Sequence, residues 1–110
     1  VIGGGFLSRH KHPAPVPGFV IKGSWRYLEH NWVATEGSYL FEPPGEVHTL
    51  VVNDDCEEMI TLFHNSGALI YCDENGKTIG STDVFDRVDA ARQHFIKVGL
   101  GKDYVNQFIR

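Results

Sequence analysis

Short apolar runs separated by turn residues fill most of the first eighty residues of this chain. Glycine, proline, asparagine and acidic residues stand between the runs, which lie at 19–21, 25–28, 32–34, 39–41, 49–52, 59–63 and 68–71. Runs of three to five residues are too short for ordinary helices and are typical of β-strands. Many short strands at this spacing predict a mainly β fold, either a sandwich or a barrel.

The first two runs flank Lys22 and Gly23, which predict a two-residue hairpin turn with glycine at positive φ. The register of such a hairpin places Val16 opposite Glu29, and a one-residue slip brings His30 there instead. The two strands of this hairpin are therefore predicted to be neighbours in one sheet.

The last thirty residues change to a helical period. Between a start at residues 81–83 and a stop at Gly99, the apolar positions are Val84, Phe85, Val88, Ala91, Phe95 and Val98. Residues 108–109 are expected to end a second, shorter helical turn. We predict a single domain, with a β-barrel over residues 1–80 and a C-terminal helical segment over 81–110. This segment is expected to pack on the same domain and to cover one face or mouth of the barrel.

The composition indicates an ordinary globular protein, because 42% of the 110 residues are hydrophobic and 22% are charged. A formal charge of −4, with no basic cluster, argues against nucleic acid and acidic membranes as partners. No apolar stretch approaches the length of a membrane span, and no secretion leader is visible. Cys56 and Cys72 are expected to be free, buried thiols in a cytoplasmic protein.

Two histidine clusters indicate a metal site. His10 and His12 are two residues apart, so in an extended strand both imidazoles point to the same face. His48, on a neighbouring strand, would complete a face of three nitrogen ligands for a transition metal. Such a face leaves coordination positions open, which metal catalysis requires. The other three histidines carry no such pattern.

These histidines lie in segments that resemble the two cupin motifs. Residues 37–48 fit the second motif, G-x5-P-x-G-x2-H, at every fixed position, and residues 5–23 resemble the first motif with its His-x-His pair. Glycines in these segments permit tight turns at strand ends. The resemblance implies a cupin jelly-roll barrel, a double-stranded β-helix, here followed by a C-terminal α-helix.

The first cupin motif usually carries a glutamate three or four residues after its second histidine, where this chain has Val16 and Pro17. Because the predicted hairpin places Glu29 opposite Val16, we interpret Glu29 as a carboxylate ligand from the adjacent strand. Glu42 and Glu46 are weaker candidates, since they lie around the proline turn.

Residues 9–52 and 98–110 resemble the 2,4′-dihydroxyacetophenone dioxygenase family of cupins. This resemblance implies a non-haem Fe(II) enzyme of aromatic-compound degradation that cleaves a carbon–carbon bond of an aryl α-hydroxyketone with O2. In that family 2,4′-dihydroxyacetophenone yields 4-hydroxybenzoate and formate. The resemblance implies His10, His12 and His48 as metal ligands, and our interpretation adds Glu29. Fe(II) is then the expected cofactor, and zinc would fit the same nitrogens without activating O2.

Two other functions fit the same motifs. One is a cupin dioxygenase that cleaves a β-diketone on a three-histidine iron. The other is a non-catalytic, metal-sensing cupin domain, as in anti-sigma proteins. A structural cupin with a vestigial site is less well supported, since all three histidines are present.

An excess of aromatic residues surrounds the predicted site in the sequence, namely Phe19, Trp25, Tyr27, Trp32 and Phe41. We expect most of them in the barrel core and one or two against an aromatic ketone substrate. Small cupins commonly associate through sheet edges and barrel mouths, so we also expect a homo-oligomer.

Overall fold

The computed structural model describes residues 4–109 and has a mainly β architecture, as predicted. The nine strands are β1 (Phe6–Lys11), β2 (Val16–Lys22), β3 (Trp25–Tyr27), β4 (Val33–Ala34), β5 (Tyr39–Glu42), β6 (His48–Val52), β7 (Ile60–Phe63), β8 (Ala68–Cys72) and β9 (Thr78–Asp83). One α-helix, α1, spans Val84–Lys97, and a 3-10 helix spans Tyr104–Phe108.

The strands form two antiparallel sheets that enclose the core between them. The six-stranded sheet has the order β4-β3-β6-β1-β8-β9, and the three-stranded sheet has the order β5-β2-β7. Neither sheet closes on itself, so the jelly roll consists of two open sheets rather than a closed barrel. The main cluster of buried core residues is Val20, Trp25, Tyr27, Ala34, Leu50, Val52 and Met59. Trp25 also links the sheets, because its indole N–H donates to the Thr61 hydroxyl across 2.9 Å.

The predicted hairpin between β2 and β3 is wrong, because these strands lie in different sheets. β2 pairs with β5 and β7, whereas β3 pairs with β4 and β6. Gly23 does adopt a φ of 77°, but the chain uses it to cross from one sheet to the other. Val16 consequently lies opposite Glu42 rather than Glu29.

Each apolar run of the sequence contains a strand, which confirms the predicted strand positions. Two strands lie outside these runs. β1 contains the His10 position that was expected to be extended, and in β9 Gly80 and several hydroxyl side chains replace an apolar alternation. Its last residues, 81–83, were assigned to the start of the helical segment. Cys72 is buried, Cys56 is half-buried, and both thiols are free.

The predicted C-terminal helix is confirmed, and its ends follow ordinary capping chemistry. Asp83 and Asp86 form a capping box at its start, and Gly99 takes a φ of 86° just beyond its end. The helix contacts β9 and the 3-10 helix, where the Phe95 and Tyr104 rings lie 4.8 Å apart. None of the fourteen residues of α1, all within the described range, is buried. Across residues 4–109, neither helix is long and apolar enough to cross a membrane.

The aromatic residues near the site divide between the two sides of the sheets. Trp25 and Tyr27 are buried in the core, as expected. Phe19, Trp32 and Phe41 are exposed, so the expectation that most of the five lie in the core is wrong. Phe19 and Phe41 lie on the outer side of the three-stranded sheet, as the alternation of these strands explains.

Candidate metal centre

Strands β1 and β6 bring the three predicted histidines together. His10 lies in β1 opposite His48, the first residue of β6, and His12 follows directly after the end of β1. The ring centroids are 4.9 Å apart for His10 and His12, 4.6 Å for His10 and His48, and 5.4 Å for His12 and His48. One ring nitrogen from each residue lies within 4.8 Å of the other two, so this triangle could hold a metal ion.

The turn before His48 explains how the chain reaches the triangle. Two prolines restrict the chain after β5, and Gly45 turns it with a φ of 78°. The Gly45 amide donates to the His12 carbonyl across 2.8 Å, which ties this turn to the end of β1. The glycine and proline positions of the second motif therefore position one histidine relative to another.

Burial keeps the three imidazoles neutral. It lowers the pKa of His48 to about 3 and that of His12 to about 4, and the neighbouring histidines add to both effects. The pKa of His10 is also lowered by burial, against the opposing effects of the Ser8 carbonyl and the Glu29 charge. His10 Nδ1 lies 2.6 Å from the Ser8 carbonyl oxygen, so it donates there and leaves Nε2 as a free acceptor. A histidine that is oriented in this way is ready to coordinate a metal ion.

Several buried polar atoms of the site have no hydrogen-bond partner among residues 4–109. They are Nδ1 of His12, both ring nitrogens of His48, and Oε2 of Glu42. Unpaired buried polar atoms are costly and are rare in folded proteins. Three neutral imidazoles and a nearby carboxyl group are the donors that Fe(II) and Zn²⁺ bind, so the residues fit a divalent metal.

The carboxyl group at this site belongs to Glu42. Its Oε2 lies 3.7 Å from Nε2 of His12 and 3.6 Å from Nε2 of His48, and its Oε1 accepts a hydrogen bond from the Tyr27 hydroxyl. Burial, reinforced by the charge of Glu46, raises the pKa of Glu42 to about 8. The carboxyl is therefore protonated at neutral pH beside neutral imidazoles, and these contacts are not ion pairs.

Sequence reasoning ranked Glu42 below Glu29, because the apolar run of β5 does not show which of its sides faces the core. Tyr39 and Phe41 point outward in this strand, so Leu40 and Glu42 point inward. A glutamate at an inward position next to a histidine motif is a strong candidate for a functional role.

Glu29 is not brought into the triangle. Its side chain is exposed, and its carboxylate accepts hydrogen bonds from the Thr49 amide across 2.5 Å and the Thr49 hydroxyl across 3.2 Å. The register that suggested Glu29 depended on the β2–β3 hairpin, which does not form. His30, the residue that a one-residue slip would have used, is hydrogen-bonded to Glu46 instead.

Aromatic rings support the histidine triangle from one side. The Tyr27 ring stacks on His48 with centroids 4.0 Å apart and an interplanar angle of 11°. Farther out, His30 stacks on Trp32 at 5.3 Å. Tyr27 thus acts on two groups of the site at once, since its ring orients His48 and its hydroxyl orients Glu42.

A small cavity of about 40 Å³ lies beside His10 and His12 and opens toward solvent. Its polar side consists of His10, His12, Tyr27 and Glu42, and its remaining lining residues are Leu7, Leu50, Phe63, Asn65 and Leu69. Of the five aromatic residues noted in the sequence, Tyr27 lines this cavity. The apolar walls suit a compact ligand with a flat hydrocarbon part and exclude water around a bound metal.

Solved structures share this fold. An RmlC-like cupin protein from Ralstonia eutropha JMP134 is 29% identical, with a TM-score of 0.84 over 91% of this chain and 64% of its own. A second protein from that organism, of unknown function and cupin-like fold, is 25% identical, with a TM-score of 0.82 over 88% of this chain and 61% of its own. An acetylacetone dioxygenase from Acinetobacter johnsonii is 24% identical, with a TM-score of 0.68 over 81% of this chain and 61% of its own. This last likeness shows the fold alone.

The chain spans just over three-fifths of the length of these structures. A comparison with curated proteins found none that matches. Residues 2–70 match the sequence profile of the ChrR cupin-like domain, a segment that is more than half of the chain and contains the three histidines and Glu42. The chain therefore belongs to the ChrR cupin-like domain family.

Proposed function

We propose that this chain is the metal-binding domain of a non-haem Fe(II) dioxygenase acting on an aryl α-hydroxyketone. The substrate that we propose is 2,4′-dihydroxyacetophenone, which O2 would convert to 4-hydroxybenzoate and formate. The observation that carries the proposal is the buried triangle of His10, His12 and His48, beside an inward-facing Glu42 and an apolar cavity. The resemblance of residues 9–52 and 98–110 to that enzyme family supports the choice of substrate.

The three histidines would hold the metal. Fe(II) at this position would supply Lewis acidity toward a ketone oxygen and electron transfer to O2, both of which this cleavage requires. The low pKa values of His12 and His48 keep their nitrogens free of protons at neutral pH, so protons do not compete for them.

Glu42 is the group that we propose to handle the proton of the substrate. Its Oε1 is held by the Tyr27 hydroxyl, and its Oε2 faces the histidines without another partner among the described residues. A positive charge in the triangle would favour the ionised carboxylate, which could then accept the hydroxyl proton of an α-hydroxyketone at Oε2.

The cavity walls supply binding and orientation. The apolar surface of the cavity is formed by Leu7, Leu50, Phe63 and Leu69. An aryl ring placed against this surface would direct its polar ketone end toward the histidines. The same walls limit the access of water to the reacting carbons.

A β-diketone is the second candidate substrate. The cavity volume of about 40 Å³ is well below the usual range of ligand pockets, and a short diketone needs less room there than an aryl ketone. A protein of the same fold is an acetylacetone dioxygenase. The third candidate, a metal-sensing domain, would bind a metal without turning over either substrate.

The test is anaerobic reconstitution with Fe(II), followed by oxygen uptake on addition of 2,4′-dihydroxyacetophenone or acetylacetone in parallel. We expect uptake with the hydroxyketone, together with formate in equal amount. His48→Ala should abolish uptake and weaken iron binding. His94→Ala, which alters a histidine on the exposed helix, is the matched control and should retain both.

Uptake with acetylacetone alone would replace the proposed substrate by the diketone. Verified iron binding without oxygen uptake on either substrate would contradict the proposal of an enzyme and favour a metal-sensing domain. Failure of the parent chain to bind iron would overturn the metal centre itself.

A further inference from the structure

The three-stranded sheet is apolar on both of its faces. Val20, Leu40 and Phe63 point inward and pack in or against the core. The outward positions are Pro17, Phe19, Ile21, Tyr39, Phe41, Ile60 and Leu62, here called the apolar outer face. Every residue of these three strands is described, and the one charged side chain on this side is Lys22, which lies at the edge opposite Ile60 and is ion-paired with Glu58 across 2.9 Å. The outer side of an ordinary antiparallel sheet alternates to polar residues, and this sheet does not.

The outward side chains form one continuous surface. Tyr39, Phe19 and Leu62 lie directly opposite one another across β5, β2 and β7, and Phe41 lies opposite Pro17. The exposed fractions are 68% for Tyr39, 64% for Leu62, 60% for Phe41, 50% for Ile21, 46% for Phe19 and 41% for Ile60. With ~200 Å² for a fully exposed large side chain, the face presents roughly 600 Å² of apolar surface. That area reaches the upper end of the largest apolar patch on a typical monomer, about 300–600 Å².

We propose that the apolar outer face is the interface between two copies of this chain, packed sheet against sheet. A face that is apolar across its centre pairs best with another apolar face, and a second copy supplies one of matching shape and size. Its one charged group, Lys22, lies at the edge and is already paired with Glu58, so a charged partner would gain little there. On the six-stranded sheet, by contrast, the outward positions include Arg26 and Thr49, which favour contact with water.

The area agrees with what a stable dimer requires. Two such faces would bury roughly 1,200 Å², which reaches the lower bound of standard interfaces before any rim residues are counted. Sheets pack face to face at about 10 Å with interdigitated side chains, and the row of Tyr39, Phe19 and Leu62 suits that contact. A two-fold arrangement covers both faces at once and closes the assembly.

The interface is independent of the proposed enzyme activity. Phe63 lines the cavity over the histidines, whereas its neighbour Leu62 points to the other side of β7. Substitutions on the outer face therefore leave the histidine triangle in place, and metal binding serves as a check on the fold. A failed dimerisation test would leave the enzyme proposal intact, and a failed activity test would leave the dimer proposal intact.

The test is sedimentation velocity of the chain with Zn²⁺ bound, over a range of protein concentrations. We expect a dimer for the parent. Leu62→Asp and Tyr39→Asp each place two carboxylates in the buried contact, so the dimer Kd should rise about a hundredfold or more. Phe85→Asp is the matched control, since Phe85 is an equally exposed aromatic residue on α1, and it should leave the dimer unchanged.

Zinc bound in equal amount by all variants would show that the chains are folded. A parent that stays monomeric at every concentration would overturn the proposal. The proposal would also fail if both aspartate variants remained dimeric, or if Phe85→Asp dissociated the dimer.

Discussion

The buried carboxyl group of Glu42 makes the candidate metal centre sensitive to charge. It is nearly inaccessible to solvent, its pKa is about 8, and its Oε2 faces two histidines at 3.6 and 3.7 Å. A divalent cation in the triangle would stabilise the ionised carboxylate by direct attraction. Glu42 therefore links metal binding to the release of a proton.

At pH 7 we expect Zn²⁺ binding to release about one proton per metal, because Glu42 ionises while the histidines are already neutral. The release can be measured by calorimetry in buffers of different ionisation enthalpy. In Glu42→Gln it should fall close to zero. Glu29→Gln removes an exposed carboxylate instead and should behave as the parent. Equal release from the parent and Glu42→Gln would contradict this assignment.

Tyr27 has two separable roles at the same site, since its ring stacks on His48 and its hydroxyl donates to Glu42. Tyr27→Phe keeps the stack and leaves a buried carboxyl oxygen without its donor. We expect the free energy of unfolding to fall by about 1–3 kcal/mol, as measured by urea denaturation. Tyr27→Leu should cost more, because the aromatic contact is lost as well.

Tyr104→Phe is the control for these variants, since Tyr104 lies in the 3-10 helix away from the histidines. It should leave the stability within about 0.5 kcal/mol of the parent. A loss in Tyr104→Phe equal to that in Tyr27→Phe would mean that the hydroxyl of Tyr27 has no special role.

At the level of strands and helices, positions were predictable from the sequence and pairings were not. Apolar runs and turn residues are local signals, so strand positions and the capped helix followed from them. Pairing depends on long-range contacts. Lys22 and Gly23 have the local chemistry of a tight hairpin, but the chain changes sheet there. Glu42 was therefore ranked too low, because its position opposite Val16 follows from the β2–β5 pairing.

The crossing between β2 and β3 depends on Gly23, and this dependence can be measured. Its φ of 77° disfavours other residues, and an added Cβ would lie 2.8 Å from Cys56 Sγ and overlap the Glu58 carbonyl oxygen. A backbone carbonyl cannot rotate away. We expect Gly23→Ala to lower the free energy of unfolding by about 2–4 kcal/mol in urea denaturation.

Gly76 provides the matched control, because its φ is 82° and a Cβ there would meet nothing within 4 Å. Gly76→Ala should therefore cost only the conformational part, about 1 kcal/mol. If Gly23→Ala and Gly76→Ala lowered the free energy of unfolding equally, the close contact of Gly23 with Cys56 and Glu58 would not contribute to stability.

For the whole molecule, the mainly β fold was predictable, whereas the two-sided apolar sheet was not. A strand that is apolar at successive positions, such as 19–21, is typical of burial on both faces. Sequence reasoning expected most of the five aromatic residues in the core and did not separate Phe19 and Phe41 from the others. In the folded chain Phe19 and Phe41 lie on the outer face, where the proposed dimer would cover them. The sequence of one strand does not specify which of its two sides packs in the core and which side is available to a partner.

The stability of the metal-free protein should pass through a maximum near neutral pH. Glu42 has a folded pKa of about 8 against 4.5 in the unfolded chain, so the folded state holds an extra proton between these values. Its contribution to stability therefore falls as the pH rises through that window. The histidines have the opposite sign, because the unfolded chain takes up protons below pH 6.5 and the folded His12 and His48 do not until about pH 4 and 3.

Between pH 4.5 and 6.5 the effect of three histidines on the free energy of unfolding exceeds that of one carboxyl group, so stability should rise with pH. Above about pH 7 only Glu42 still differs in protonation between the folded and unfolded chains, so stability should fall. Urea unfolding in the presence of a chelator, repeated at several pH values, measures this curve. From pH 7 to pH 8 the parent should lose about 1 kcal/mol relative to Glu42→Gln, since one pKa unit corresponds to about 1.4 kcal/mol. Bound Zn²⁺ should remove the alkaline decline, because Glu42 is then ionised in the folded state as well. A chelated parent whose stability stays level with Glu42→Gln over this interval would show that the buried carboxyl does not hold its proton.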